Sequence, residues 1–288
     1  EGLNTFSTLR TLDTAYPPRK MVQYFLPRPG DRGGFFPLIF ESIEEDRFIN
    51  LVRDYRNAAS SDNPSTDTFR YVPRTASDIS YDKTALWLAT LERHLGWDTL
   101  QAILSTFFER YRFAHPTPED FFSTAEEVSG EDLGWFFRQV HYGSVDFDYA
   151  IGHVSSTPAG PTGLIEQGGE LVLADRPEEE DGTVYRTEVM VRRHGGGTFP
   201  VEIRLVFEDG HQEIEAWSGQ ERSKRIVVEH PARLDHAIVD PERVLMLDVD
   251  YTNNSRLLEP RAKLPATKWA SKWMIWFQEM LSSVAFFM

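Results

Sequence analysis

The chain has 288 residues, 41% of them apolar, which is enough to build two modest domains with buried cores and is unlike a disordered segment. Its formal net charge of −15 argues against a nucleic-acid partner, because phosphate binding needs a concentrated basic surface. With no cysteine there is no disulfide framework and no thiol nucleophile, so any metal must sit on His, Asp or Glu.

Residues 1 to about 145 read as helical. "EGLNTFSTLRTLDTAY" carries Leu3, Phe6, Leu9, Leu12 and Tyr16 at helical spacing, and "ESIEEDRFINLVRDYRN" carries Ile43, Phe48, Leu51, Val52 and Tyr55 likewise. "PRPGDRGGFFP" between them reads as a Pro/Gly loop, and "NAASSDNPSTDT" as a polar surface loop. "YDKTALWLATLERHLG" predicts a helix that stops at Gly96, followed by a second with Leu100, Ile103, Leu104, Phe107 and Tyr111 on one face. Two further starts are marked by Thr117 before Pro118 and Asp120, and by Ser129 in "SGED" before Leu133, Phe136 and Phe137.

Near Asp146 the apolar period changes from 3.6 to 2. Tyr185, Thr187, Val189 and Val191 alternate with charged neighbours, as do Val201, Ile203, Leu205 and Phe207 after the run "RRHGGGTF", which reads as a hairpin loop. "RIVVEH", "HAIVD" and "VLMLDVD" add strands, with "EDGH" and "DPER" as turns. About seven such strands predict an antiparallel sandwich. "SSTPAGPTGLIEQGG" and the acidic run from Glu178 to Asp181 read as solvated loops.

The tail "AKLPATKWASKWMIWFQEMLSSVAFFM" is basic at its start (Arg261, Lys263, Lys268, Lys272) and rich in Trp and Phe, and Gln278 and Glu279 interrupt its apolar part. That interrupted apolar part spans fewer than the roughly 20 clean residues of a membrane crossing. Three readings stand: an interfacial helix with Lys and Trp at the headgroups, a helix docked on protein, or a sequence that ends inside a longer segment.

Eight histidines, at 94, 115, 141, 153, 194, 211, 230 and 236, offer no H-E-x-x-H arrangement, and there is no G-x-S-x-G elbow. His230 and His236, flanking a Pro in strand-like sequence, read as surface or packed residues.

The opening "EGLNTF", taken with "SYDKTALWLATLERHLG" and the later "DFDYAI", "VEIRLVFEDG" and "IVDPERVLMLDVDYTNNS", resembles the M1 family of zinc metallopeptidases, the gluzincin aminopeptidases, over most of residues 1–258. That family follows its H-E-x-x-H helix, eighteen residues beyond the second His, with a helix that begins in Glu-Gly and supplies the third metal ligand. The resemblance makes Glu1 that ligand, with both histidines and the general base upstream of residue 1, one Zn2+ as cofactor, and no activity expected of these 288 residues alone. Tyr81 matches the Tyr of the family's Tyr-x-Lys-Gly stretch, whose hydroxyl points at the scissile carbonyl, and Lys83 matches its lysine. Thr84 stands where the family has Gly.

The implied fold is α+β and multidomain. Residues 1–145 would be the helical remainder of a thermolysin-like catalytic domain, 146–258 an antiparallel β-sandwich, and 259–288 a short amphipathic, basic C-terminal helix. The implied function is hydrolysis of peptide substrates at free N-termini. A catalytically degenerate scaffold or membrane-associated binding protein is the alternative, and the epoxide hydrolysis of one family branch finds no support. The tail offers a possible membrane contact through residues 263–288, favouring the cell envelope over the cytoplasm.

Overall fold

A computed structural model describes residues 1–16, 19–20, 44–45, 47–160, 164–173 and 182–261, together with Ala270, Trp273, Met274 and Phe277. The expected "PRPGDRGGFFP" loop, Ile43, the acidic run at 178–181 and most of the tail lie outside these residues.

Helix α1 (Gly2–Ala15) buries Gly2 and Phe6, and Leu9 packs partly against the core. Leu3 and Tyr16, expected on the same stripe, are exposed. Two-residue strands β1 (Arg19–Lys20) and β2 (Glu44–Glu45) pair antiparallel. Helix α2 (Ile49–Tyr55) therefore begins later than its apolar periodicity predicts, because Glu44 and Glu45 belong to that ladder.

Helix α3 (Thr84–Leu95) is preceded by a wide i→i+5 turn over Asp78–Lys83, and its residues from Ala85 through Leu91 are all buried. A helix apolar on every side belongs in the middle of a fold. Trp87 meets the rings of Phe121, Phe136 and Phe137 at 6.0, 6.5 and 5.9 Å. Gly96, at φ +84°, allows the break before α4 (Trp97–Tyr111), where Leu100 and Ile103 are buried. Helix α5 (Pro118–Ser129) starts as expected: Thr117 Oγ1 accepts from Asp120 N, the Asp120 carboxylate accepts from Thr117 N, and Pro118 fills the first position. Ser129 does not start α6 (Gly134–Val140). It is the last residue of α5, where its hydroxyl donates to Ala125 O at 2.6 Å and left-handed Gly130 closes the helix.

The strands are β3 (Tyr149–Pro158), β4 (Leu164–Gln167), β5 (Glu170–Leu173), β6 (Tyr185–Arg193), β7 (Val201–Phe207), β8 (Gln212–Trp217), β9 (Ser223–His230), β10 (Leu234–Val239) and β11 (Ser255–Leu257). They form two antiparallel sheets, in the orders β3-β6-β9 and β11-β10-β7-β8, with β4-β5 as a separate hairpin. Val189 and Val191 of β6 and Val201, Ile203, Leu205 and Phe207 of β7 are buried, as their alternation predicts, in one cluster continuous with the helical core. Backbone and side chain both stitch the two sheets together. Leu234 N donates to Ser156 Oγ at 3.3 Å, and Ile151 N to Asn253 O at 3.0 Å.

Four expectations change. The glycines 195–197 are not a hairpin loop but the crossover from β6 in one sheet to β7 in the other. Two of them are needed, because a Cβ on Gly195 would stand 2.5 Å from Asp146 O and one on Gly197 2.5 Å from the Phe147 ring. "VLMLDVD" is buried but is not a strand. Side chains replace the ladder there: Asp240 accepts from Val244 N and Leu245 N, and Thr90 Oγ1 from Met246 N. In "SSTPAGPTGLIEQGG", the segment up to Pro158 ends β3 and Leu164–Gln167 forms β4 of the β4-β5 hairpin, where loops were expected. Finally, the supposed surface loop after α2 buries Ala58, Ala59 and Asp62.

Candidate active site

The start of α1 is set by a missing side chain. Gly2 is buried, and a Cβ there would lie 2.2 Å from Thr84 Cβ, 2.4 Å from Thr84 Cγ2 and 3.0 Å from Ser80 O. Only glycine lets the first turn of α1 rest on the wide turn that precedes α3. Glu1 therefore adjoins the contact from one side and Tyr81 from the other, and the structure brings the two sequence-derived candidates into one neighbourhood. Both side chains are solvent-facing: Glu1 is exposed, and Tyr81 retains 41% of its accessible surface.

Wide turns of this kind accommodate one extra residue in a helix and reorient its side chains. Here Tyr81 faces out while its two successors face in. Lys83 is fully buried, and its Nζ donates to Gly143 O at 2.9 Å and to Asp62 O at 3.5 Å. Burial pushes its amine down to about 8, partly opposed by the Asp62 carboxylate. Asp82 is pushed up to about 6 by burial, with Asp78 and Asp54 adding like-charge repulsion. Asp62 accepts from Val72 N at 3.0 Å and from the Thr75 hydroxyl, and Ile79 N bonds Thr75 O at 3.0 Å. The turn is thus braced from the loop after α2 and from the segment after α6. Asp62 and its partners were hidden in a polar stretch without periodicity; the adjacent small pair Ala58 and Ala59 was the one available sign of close packing.

The histidines serve other tasks. His141 is buried, edge-on to Phe122 at 5.1 Å, and its imidazole is held below its ordinary value by burial. His211 and His230 stack at 4.7 Å, and His230 also packs on Phe207 at 4.2 Å. His236 Nδ1 lies 2.7 Å from the Asp235 carboxylate. Among the described residues no group of three or more His, Asp and Glu is arranged to hold a metal ion. The residues here do not by themselves fit a zinc site; Glu1 offers one carboxylate. Two adjoining grooves lie along α1 and share Ser7 and Leu104; Leu3 and Phe108 line the first, Phe6, Arg10, Thr14 and Trp97 the second, and neither includes Glu1 or Tyr81.

No protein-family model matches the chain. Two curated proteins of Oryza sativa subsp. japonica, Aminopeptidase M1-D and Aminopeptidase M1-C, are each 36% identical over 55 residues, which is 19% of this chain and 6% of theirs. Over that stretch the chain is similar to aminopeptidases. It spans a small part of the length of these relatives. Among solved structures, Legionella pneumophila aminopeptidase A in complex with aspartic acid covers 68% of this chain and 20% of its own, at 13% identity and a TM-score of 0.40.

Proposed function

We propose that the chain is part of a zinc-dependent aminopeptidase of the M1 type, with Glu1 as a metal ligand and Tyr81 as the donor to the oxygen that turns negative when the peptide carbonyl is attacked. One observation supports this reading above the others: Gly2 seats the Glu1 end of α1 against Ser80 and Thr84, the residues around Tyr81. The local likeness to plant aminopeptidases points the same way.

On this reading the residues divide the work by burial. The Tyr81 hydroxyl, on the exposed side of the wide turn, reaches a substrate carbonyl and donates a hydrogen bond that strengthens as charge develops. Lys83, on the buried side, holds the turn to Gly143 and Asp62. Glu1 supplies a carboxylate oxygen, a ligand type that suits zinc beside two upstream imidazoles, and leaves one position open. Bound zinc would supply a water of lowered pKa and polarise the carbonyl. The upstream H-E-x-x-H segment would bring the general base. Residues 1–145 then belong to the catalytic domain and 146–258 to a sandwich built of the two sheets. Residues 263–288 would touch a membrane surface, which favours a membrane-associated or envelope location over the cytoplasm.

The test is made in the protein that carries both histidines. Tyr81→Phe should lower kcat roughly 100- to 1000-fold, the scale of losing one oxyanion donor, with zinc content unchanged. Glu1→Gln should lower the zinc bound per chain. Near wild-type turnover in the first variant removes Tyr81 from the reaction, and undiminished zinc in the second removes Glu1 from the metal.

A further inference from the structure

Strand β3 carries one extra residue against β6. Ile151 faces Val191 and His153 faces Met190, so Gly152 between them has no partner in the ladder. Such a bulge bends its strand and disrupts the ladder locally. Two arginines use the opening. A Cβ on Gly152 would stand 3.2 Å from both Cδ and Nε of Arg192, so the absent side chain lets Arg192 of β6 lie across the bulge. Arg256, from β11 in the other sheet, donates from Nη1 to Gly152 O at 2.8 Å.

Two guanidinium groups from different sheets thus lie against one residue. Both arginines are exposed, and among the described residues neither meets a carboxylate. Other arginines of the same strands and sheets are neutralised in place: Arg186 and Arg225 by Glu188, Arg204 by Glu242, and Arg233 by Glu259. Asp148, just before β3, accepts from Asn253 Nδ2 at 2.9 Å instead. Two like charges held together repel, and an anion between them converts that repulsion into attraction.

We propose that Arg192 and Arg256, set around the Gly152 bulge, form a binding site for a phosphate dianion. The planar guanidinium presents its N–H groups as a fork that fits phosphate oxygens in pairs. The bond to Gly152 O fixes the Arg256 group and leaves its remaining donors to a ligand. Charge selects the ligand class, since two guanidinium groups match the two charges of a phosphate better than the one of a carboxylate. Gly152 keeps the approach open, because no Cβ stands beside the Arg192 fork. The net charge of −15 does not forbid an anion here, because exposed charges farther off than about 8 Å are largely screened at physiological ionic strength. A free phosphate and a phosphate carried on a lipid headgroup share this chemistry.

Isothermal titration of the whole chain with inorganic phosphate tests this at about pH 8, where phosphate carries close to two charges. Binding should be saturable and weaken as salt rises, and acetate should bind far more weakly. Arg192→Gln and Arg256→Gln should each lower the affinity roughly tenfold or more, the scale of losing a hydrogen bond to a charged group. Arg204→Gln, which removes a guanidinium already paired with Glu242, should leave it unchanged. Among the described residues the Arg192 guanidinium has no hydrogen-bond partner, so Arg192→Gln should melt like wild type. That variant keeps the test decisive even if Arg256→Gln loosens β11. Phosphatidylcholine vesicles with and without phosphatidic acid separate the sources. Capture by phosphatidic acid that Arg192→Gln abolishes assigns a headgroup, and phosphate binding without capture assigns a soluble ligand. No phosphate binding by the wild type, undiminished binding in Arg192→Gln, or an equal loss in Arg204→Gln would overturn the site. Acetate bound as tightly as phosphate would overturn the dianion.

Discussion

A methyl group at position 2 would collide with Thr84, whose β-branched carbon sits on the backbone and cannot swing away. Helix propensity alone favours Ala over Gly by up to about 1 kcal/mol, so the collision decides the sign. Gly2→Ala should destabilise by about 1–3 kcal/mol, the range for overpacking. Thr84→Gly alone should cost roughly 0.3 kcal/mol in helix propensity. The double variant, which moves the glycine to the other side of the contact, should be more stable than the sum of the two losses by at least about 0.5 kcal/mol in urea denaturation. Strict additivity would mean that α1 and the start of α3 do not meet there. The candidates Glu1 and Tyr81 come from short motifs, each with a marked neighbour, Gly2 for one and Lys83 for the other. Lys83 and Asp62 were not legible as bracing. Burying a lysine under two carbonyls is a tertiary event, and a charged residue in sequence looks the same whether its amine faces water or Gly143.

Among the elements, α5 shows the local code working as written. Thr117→Ala should lower stability by about 1 kcal/mol, the usual worth of such a cap. Hydrogen exchange should quicken first in the opening turn of α5, and unchanged exchange would show that Pro118 fixes the turn without the box. Ser129→Ala should cost less, since its hydroxyl serves the end of a helix already closed by Gly130. "SGED" resembles a helix start because Ser and Asp favour N-caps, yet its Gly is the residue that most often closes a helix. Which end they mark depends on where the preceding apolar face runs out. The strands of β6 and β7 were readable for the opposite reason: each buries one face, and a period of 2 records that directly. "VLMLDVD" has the composition of a strand and the burial of one, but Thr90 and Asp240 satisfy its amides, and periodicity carries no information about hydrogen-bond partners.

At the scale of the whole molecule, Asp248 sits where the two sheets and the helical part converge. Its carboxylate accepts from Tyr149 N at 3.2 Å, Asn254 Nδ2 at 3.1 Å and Asp250 N at 3.0 Å. Those donors favour the charged form, yet burial outweighs them and pushes the group up to about 7, with Asp148 adding to the rise. The folded state therefore holds a proton that the unfolded state has released between about pH 4 and 7, and stability falls as pH rises through that window. Asp248→Asn should abolish this part of the slope when folding free energy is followed by urea melts across the window. Parallel profiles for variant and wild type would assign the slope to other carboxyls. The convergence itself was beyond the reach of the sequence, which showed the change of period near Asp146 but not which strands would become neighbours.

The glycine crossover at 195–197 also bears on how the chain reaches this structure. Because it switches the backbone from β6 to β7, the strands of the two sheets alternate along the chain, β9 returning to the first sheet and β10 to the second. Neither sheet is a contiguous stretch, so neither can be completed on the ribosome before the other is well advanced. Long loops must close before either core is rewarded, which slows folding of residues 149–257 and leaves unpaired sheet edges exposed until it is complete.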